Sequence, residues 1–198
     1  KNYRIILKTT LLAKKSMNKV IVLDRDGVIN VDLMTYVTKP EDFEFIEGSI
    51  EAISLLQNSG FTIAIATNQA CIEKKIIDDR QLKAVHDFMN LKLAVHGPTI
   101  DCIAYCPHDP DSKCACRKPE VGLLVEIEKK LGVSLEGSFF VGDKETDIMA
   151  AKNYNCVPLL VKTGYGMQTL SSVNCPPANH CFENLFNASK FIVSSIEN

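Results

Sequence analysis

Two carboxylates one residue apart, Asp24 and Asp26, stand directly after the apolar run Val20-Ile21-Val22-Leu23. Carboxylates brought close together repel unless a cation or a shared proton relieves them. Such a pair holds a divalent ion like Mg²⁺ or divides nucleophilic from acid/base work, although Asp-Arg-Asp-Gly after a strand also serves as an ordinary turn. Alternation along an extended chain would put Asp24 and Asp26 on one side and Arg25 on the other. Three further groups bear on the choice: Thr67-Asn68-Gln69, Lys118 and Asp143. A carboxylate, a hydroxyl, a lysine and a second carboxylate suit phosphoryl transfer. Asp24 is then the nucleophile that forms an aspartyl-phosphate, and Mg²⁺ bridges Asp24, the phosphate and Asp143. Asp26 protonates the leaving oxygen and later activates water, Thr67 donates to a phosphate oxygen, and Lys118 supplies positive charge. Plainer readings stay open for each residue taken alone. Thr67-Asn68 can turn and cap a helix, Lys118 can be solvated, and Asp143 and Asp147 can serve the start of the following helix.

A second constellation spans eleven residues, Cys106-Pro107-His108-Asp109-Pro110-Asp111-Ser112-Lys113-Cys114-Ala115-Cys116. Thiolates and imidazole are good Zn²⁺ ligands, and four protein ligands make a closed structural site. A disulfide or unpaired thiols are the alternatives. Because Cys116 precedes Arg117-Lys118, a clamped loop here would fix where both cationic side chains point. Cys175, His180 and Cys181 offer too few ligands for a second metal site, and His86 and His96 read as surface or packing residues.

The elements that must position these groups alternate between strand and helix. Strands are expected near 20–23, 61–66, 100–105, 138–141 and 157–161, and helices near 48–58, 78–94, 120–131, 145–153 and 183–196. The stretch 28–45 between the first strand and first helix reads as irregular. Strands separated by helical patterns imply a mainly parallel sheet covered on both faces, and such sheets bind ligands outside the carboxyl ends of their strands. Asp24 and Asp26 follow the first strand, Thr67 to Gln69 the second and Asp143 the fourth, while Lys118 opens the helix between the third and fourth. The four groups therefore converge on one rim.

Composition bounds the rest. The chain has 198 residues, 46% of them apolar, enough for one well-filled domain. Residues 1–16 hold five basic residues and no acidic one, so residues 17–198 carry 17 basic against 24 acidic residues, a net of −7. That balance disfavours nucleic acid and anionic membranes as partners, and no apolar run approaches the ~20 residues of a membrane span. Met17 reads as a natural start, with residues 1–16 as an N-terminal extension and 17–198 as the catalytic domain. The apolar stretches of that extension are broken by Lys8 and too short for a secretory signal. Eight cysteines with a metal-like grouping fit a reducing cytoplasm better than a disulfide framework. The expected state is a monomer.

Taken together, Asp24-Arg25-Asp26-Gly27-Val28-Ile29-Asn30, Thr67-Asn68-Gln69, the knuckle ending Cys116-Arg117-Lys118-Pro119, and Gly142-Asp143-Lys144-Glu145-Thr146-Asp147 resemble the haloacid dehalogenase superfamily of phosphatases. The branch they resemble acts on D-glycero-D-manno-heptose 1,7-bisphosphate, with the histidinol-phosphate phosphatases as its sister. The resemblance covers roughly residues 18–165 and implies a Rossmann-like three-layer α/β/α sandwich with no large cap domain and a zinc-binding loop. It makes Asp24 the nucleophile, Asp26 the proton donor, and Thr67 and Lys118 the groups that steady the phosphoryl. It puts Mg²⁺ on the Asp24 side chain, the Asp26 backbone carbonyl and Asp143, and Zn²⁺ on Cys106, His108, Cys114 and Cys116. The substrate, a small phosphorylated sugar, would meet Arg117 and Lys144, with Asp32, Leu33, Met34 and Thr35 and then Asn68, Gln69 and Ala70 lining its pocket. The implied activity is Mg²⁺-dependent release of the C7 phosphate, in the synthesis of nucleotide-activated heptose for a surface glycan. Two alternatives stand beside it: a histidinol-phosphate or other small phosphate-ester phosphatase, and a zinc-knuckle binding module on an inactive scaffold. After Gln69 this chain reads Ala70-Cys71-Ile72-Glu73-Lys74-Lys75, where the heptose enzymes usually carry Ser-Gly-Ile and a Gly/Arg-rich turn.

Overall fold

The computed structural model describes residues 19–197; the extension expected over residues 1–16 lies outside the described residues. Among the described residues six strands form one sheet: β1 (Val20–Leu23), β2 (Thr62–Asn68), β3 (Cys102–Cys106), β4 (Phe139–Gly142), β5 (Val157–Val161) and β6 (Cys181–Phe182). Their order is β3-β2-β1-β4-β5-β6, and all adjacent pairs are parallel. Between them run α1 (Ser49–Asn58), α2 (Asp79–Val95), α3 (Gly122–Leu131), α4 (Glu145–Asn153) and the short α5 (Gly166–Thr169), and α6 (Leu185–Glu197) closes the chain.

Strand alternation sorts the apolar side chains into two layers. Ile21, Leu23, Ile63, Ile65, Phe139 and Val141 face one way, onto Ile53 and Leu56 of α1, Val85 and Met89 of α2, and Leu185 and Ile192 of α6. Val20, Val22, Ala64, Ala66 and Phe140 face the other way, onto Leu123, Leu124 and Ile127 of α3 and Ala150 and Ala151 of α4. Both faces of the sheet are covered, as the near-continuous apolar strands require. Among the described residues no helix is long and apolar enough to cross a membrane. The strand order reverses between β1 and β4, and the carboxyl ends of these two strands meet side by side, which is where such sheets open a ligand crevice.

The structure departs from the sequence expectation at several points. β2 runs through Asn68 rather than stopping at 66, because Thr67 and Asn68 continue the register against Tyr105 and Cys106. α3 begins at Gly122, so Lys118 lies before the helix rather than opening it. The two-residue β6 and the single-turn α5 carry no periodicity to read, and neither was expected. β1 ends at Leu23, so the alternation that would oppose Arg25 to Asp26 does not continue past it. The chain turns there, the N–H groups of Val28, Ile29 and Asn30 converge on the Arg25 carbonyl, and the Arg25 guanidinium closes on the Asp26 carboxylate.

Candidate active site

Asp24 and Asp143 leave the ends of β1 and β4, and Asp147 lies in the first turn of α4. Ligand oxygens of the three carboxylates fall within 4.8 Å of one another, all buried. Lys118 reaches into this cluster, with Nζ 3.0 Å from Asp24 Oδ1 and 2.5 Å from Asp147 Oδ1, and donates to the Ala66 carbonyl at 2.7 Å. Burial pushes the Asp24 carboxyl up and Lys118 only partly pulls it back. Asp143 is pushed well above the usual carboxylate range, by burial first and by its neighbours Asp147 and Asp24, against Lys144. For Lys118, burial favours the neutral amine, but Asp147 and Asp24 outweigh it and raise the pKa. Asp143 Oδ1 is buried and has no hydrogen-bond partner among the described residues, while its Oδ2 accepts from the Tyr165 N–H at 2.8 Å. An orphaned carboxylate oxygen in a cluster with excess negative charge fits a hard divalent cation with oxygen ligands. The surroundings of Asp143 are cut to its shape. A Cβ at Gly27 (φ 85°) or Gly164 (φ 56°) would overlap its carboxylate, and both backbones sit in the left-handed region glycine tolerates.

Asp147 is the site residue that sequence reasoning passed over. Its Oδ2 accepts from the Lys144 N–H at 2.9 Å, so it does serve the helix start, while Oδ1 meets Lys118. The local signal was a second carboxylate shortly after Asp143, in the first turn of the helix that leaves the β4 end.

Asp26 is held differently. Its carboxylate accepts from Arg25, from Asn30 Nδ2 at 2.9 Å and from Gln69 Nε2 at 2.8 Å. Burial alone would raise its pKa, but Arg25 and the Asn30, Arg25 and Gln69 hydrogen bonds bring it below the ordinary value. Thr67 is buried, with its Oγ1 accepting from Gln69 Nε2 at 2.9 Å. Asn68 clamps the Lys118 backbone from both sides: Nδ2 donates to the Lys118 carbonyl at 3.2 Å and Oδ1 accepts from its N–H at 3.1 Å.

A cavity of about 1300 Å³ opens over this centre, lined among others by Asp24, Asp26, Thr67, Lys118 and, farther out, Lys113, Arg117 and Lys144. Of the expected sugar-pocket residues, Asp32, Met34, Thr35 and Asn68 line it. Leu33 is exposed outside the cavity. Gln69 and Ala70 are buried under its floor, because the chain after Asn68 dives back into the core, so Gln69 acts on Asp26 and Thr67 from beneath. Lys144 pairs with Asp32 at 2.8 Å and lies 4.8 Å from the Tyr165 ring centre. Burial disfavours its charge, but Asp24, Asp143 and Asp32 raise its pKa overall.

The knuckle is assembled at the end of β3. Cys106 Sγ lies 3.6 Å from Cys114 Sγ and 3.2 Å from Cys116 Sγ, and His108 Nδ1 lies 3.2 Å from Cys116 Sγ. A tetrahedron with Zn–S of ~2.3 Å has edges of about 3.7 Å, far from the ~2.05 Å of a disulfide, so the spacing fits the metal better than a bridge. Cys114 accepts from the Arg117 N–H at 3.4 Å, and Arg117 in turn donates to the His108 carbonyl at 3.0 Å. The knuckle is moored to the loop after β2, where Glu73 accepts from the Asp109 N–H and from Ser112 Oγ, and Lys74 pairs with Asp109 at 3.2 Å. The unusual Glu73-Lys74 wording therefore has a structural use. Cys175 and Cys181 sit 3.9 Å apart at Sγ with His180 turned against Phe191, and none of the eight cysteines is in a disulfide.

A parallel sheet whose switch point carries a buried carboxylate triad, a lysine and a hydroxyl beneath an open cavity defines a phosphohydrolase of the haloacid dehalogenase class. Residues 115–188 match the family model described as HAD-hydrolase-like. D-glycero-beta-D-manno-heptose-1,7-bisphosphate 7-phosphatase of Bordetella bronchiseptica is 40% identical over 167 residues, covering 84% of this chain and 93% of its own length. The enzyme of the same name from Pseudomonas aeruginosa is 45% identical over 150 residues, covering 76% of this chain and 84% of its own. The crystal structure of the Bordetella bronchiseptica D,D-heptose 1,7-bisphosphate phosphatase complexed with magnesium and phosphate superposes with a TM-score of 0.85. It is 38% identical, with 89% of this chain and 99% of that one covered. This chain belongs to the D-glycero-beta-D-manno-heptose-1,7-bisphosphate 7-phosphatase family.

Proposed function

We propose that this protein is a phosphatase that removes the C7 phosphate of D-glycero-D-manno-heptose 1,7-bisphosphate through an aspartyl-phosphate at Asp24. The observation that carries the reading is the buried meeting of Asp24, Lys118 and Asp143 under a cavity with a cationic outer wall. In the first step an Asp24 oxygen attacks phosphorus in line. The Asp24 O–P bond forms, the bond to the C7 oxygen breaks, and Asp26, its lowered ligand-free pKa raised by the anionic ester beside it, gives that oxygen its proton. In the second step Asp26 takes a proton from water, the water oxygen bonds to phosphorus, and the Asp24 carboxylate departs, leaving inorganic phosphate. Lys118 balances negative charge at Asp24, and Thr67 Oγ1 is available to a phosphate oxygen at the cavity floor. Mg²⁺, held by the side chains of Asp24 and Asp143 and the Asp26 carbonyl, would screen the anionic attacker from the anionic ester. Uncatalysed monoester cleavage is slow enough that accelerations reach ~10²¹, so concentrated charge of this kind is required.

Arg117 and Lys113 on the cavity lining support a second phosphate on the substrate, as would Lys144 on exchanging its partner Asp32 for it, which favours a sugar bisphosphate over histidinol phosphate. Zinc on Cys106, His108, Cys114 and Cys116 would hold the loop from which Arg117 and Lys118 project. Eight cysteines, none in a disulfide and three of them in the metal-like cluster, fit a reducing, cytoplasmic setting, and the net charge of −7 over residues 17–198 fits a monomeric enzyme of a small-molecule substrate rather than a nucleic-acid or membrane binder. The test is a panel of heptose 1,7-bisphosphate, other sugar phosphates and histidinol phosphate, assayed with Mg²⁺. The bisphosphate is expected to have the highest kcat/KM, and Asp24→Asn is expected to lower turnover by about 10⁴ or more. A preference for histidinol phosphate would overturn the sugar assignment. Zinc without any Mg²⁺-dependent turnover would instead favour a binding module.

A further inference from the structure

We propose that His86, acting through Arg25, is a positioning residue for Asp26, holding the carboxylate where it can serve the leaving oxygen. The inference rests on the phosphatase reading above. The Arg25 guanidinium is fully buried and spans two partners. Its Nη2 donates to Asp26 Oδ1 at 2.9 Å and Oδ2 at 3.0 Å, Nε to Oδ1 at 3.3 Å, and Nη1 lies 3.1 Å from His86 Nε2. A guanidinium has only donors and keeps its proton, so His86 Nε2 must offer a lone pair and the ring must be neutral, with its proton on Nδ1. The environment agrees: burial first, and the Arg25 charge second, push the His86 pKa down to about 3.

His86 sits in the middle of α2, among the residues that face the core, and its ring meets Tyr105 of β3 edge-on with centroids 6.2 Å apart. Tyr105 is tied back to α2 by its hydroxyl, which donates to Asp79 at 2.9 Å. The imidazole is thus fixed by a helix and a strand, and Arg25 carries that fixity to Asp26. Asn30 and Gln69 each donate to one carboxylate oxygen of Asp26, and Arg25, anchored at Nη1, adds the donor that bridges both oxygens and fixes the plane of the carboxylate. Without His86, Nη1 is left buried with a donor unpaired, which favours a shift of the group toward another acceptor.

Leaving-group chemistry separates positioning from structure. A sugar alkoxide is a poor leaving group and needs the Asp26 proton, whereas p-nitrophenolate departs with little help. kcat/KM reports the steps through the first phosphoryl transfer, where that difference acts. His86→Ala is expected to lower kcat/KM about tenfold or more on an alkyl phosphate such as a sugar 7-phosphate, and less than about threefold on p-nitrophenyl phosphate, within the range general acid catalysis contributes. His86→Gln, which keeps an acceptor, should regain most of the loss, and Arg25→Lys, which cannot fork, should lower the alkyl-to-aryl ratio. Equal losses on both esters, or a glutamine variant no better than alanine at matched melting temperature, would overturn the proposal. If the alanine variant does not fold, the glutamine and lysine variants decide by the same ratio. Failure of the wild type on both esters would sink the phosphatase reading and this inference with it, whereas an active wild type with an unmoved ratio sinks the inference alone.

Discussion

At the scale of single residues, the centre is a contest between buried carboxylates and the cations set against them. Asp143 illustrates the sign. Its folded pKa lies well above the 3.8 of an exposed aspartate, so between those two values the folded chain binds more protons than the unfolded one. Stability must then fall as pH rises from about 4 through the folded pKa. A divalent cation added at the upper end removes the repulsion that causes this. In EDTA, the melting temperature of the wild type relative to Asp143→Asn should drop as pH goes from 4 to 8. Added Mg²⁺ should recover it for the wild type, more at pH 8 than at pH 5, and leave the variant unmoved. A difference between the two proteins that does not depend on pH would show that Asp143 does not carry this charge. Lys118 is the counterpart. Lys118→Met keeps the stem but leaves Asp24 and Asp147 buried without their ammonium, a loss of about 3–5 kcal/mol where a buried pair is broken. Urea denaturation should register it alongside the loss of turnover, and a variant as stable as the wild type would mean that the pair is not a net support of the fold.

At the scale of elements, positions at the ends of strands decide which side chains meet, and close backbone contacts decide how. Gly164, between β5 and α5, has φ 56° and lies so close that a Cβ would overlap both the Asp143 carboxylate and the Gly27 Cα. Gly164→Ala should therefore displace Asp143, weaken Mg²⁺ activation about tenfold or more, and destabilise the fold by roughly 1–3 kcal/mol through backbone strain. A Mg²⁺ titration of activity, with thermal denaturation beside it, checks both parts. An unchanged Mg²⁺ dependence would show that the carboxylate is not held by this contact. The same elements show what could be read in advance. Val20 to Leu23 and Val157 to Val161 announced their strands because parallel strands buried on both faces are apolar without a break, and Asp24, Thr67 and Asp143 followed because they stand at strand ends. Asp147 was hidden because a carboxylate in a helix's first turn has a sufficient local explanation, and only tertiary structure puts Lys118 against its other oxygen. His86 was hidden for the opposite reason. A histidine among Leu82, Val85 and Met89 looks like packing until the fold brings Arg25, 61 positions earlier, to its ring. α5 and β6 were illegible because one turn and two residues are shorter than any repeat a pattern can show.

For the molecule as a whole, the sheet and its two apolar layers make a rigid floor, while the cationic wall of the cavity stands on a loop with little core of its own. Residues 107–117 contain one short 3₁₀ turn, and this segment is held by the Cys/His cluster, by the Glu73 and Lys74 tether, by the Gly122 N–H on the Ala115 carbonyl and by the Asn68 clamp on the adjoining Lys118. Removing a metal from Cys106, His108, Cys114 and Cys116 would take away one of these holds without touching β1, β4 or the packing of α1 and α6. Two consequences should then separate. Backbone signal by circular dichroism should persist, because the sheet core does not depend on the knuckle. By contrast, kcat/KM on the bisphosphate should fall by about tenfold or more as Arg117 and Lys118 lose their fixed aim. Elemental analysis of the purified chain should find about one zinc per molecule. A zinc-selective chelator should release it together with newly reactive thiols, and zinc rather than magnesium should restore both thiol protection and activity. Full activity after zinc is stripped would mean that the protein tethers alone aim the two cations, and a chain isolated without zinc would return the four side chains to the status of neighbouring thiols and an imidazole.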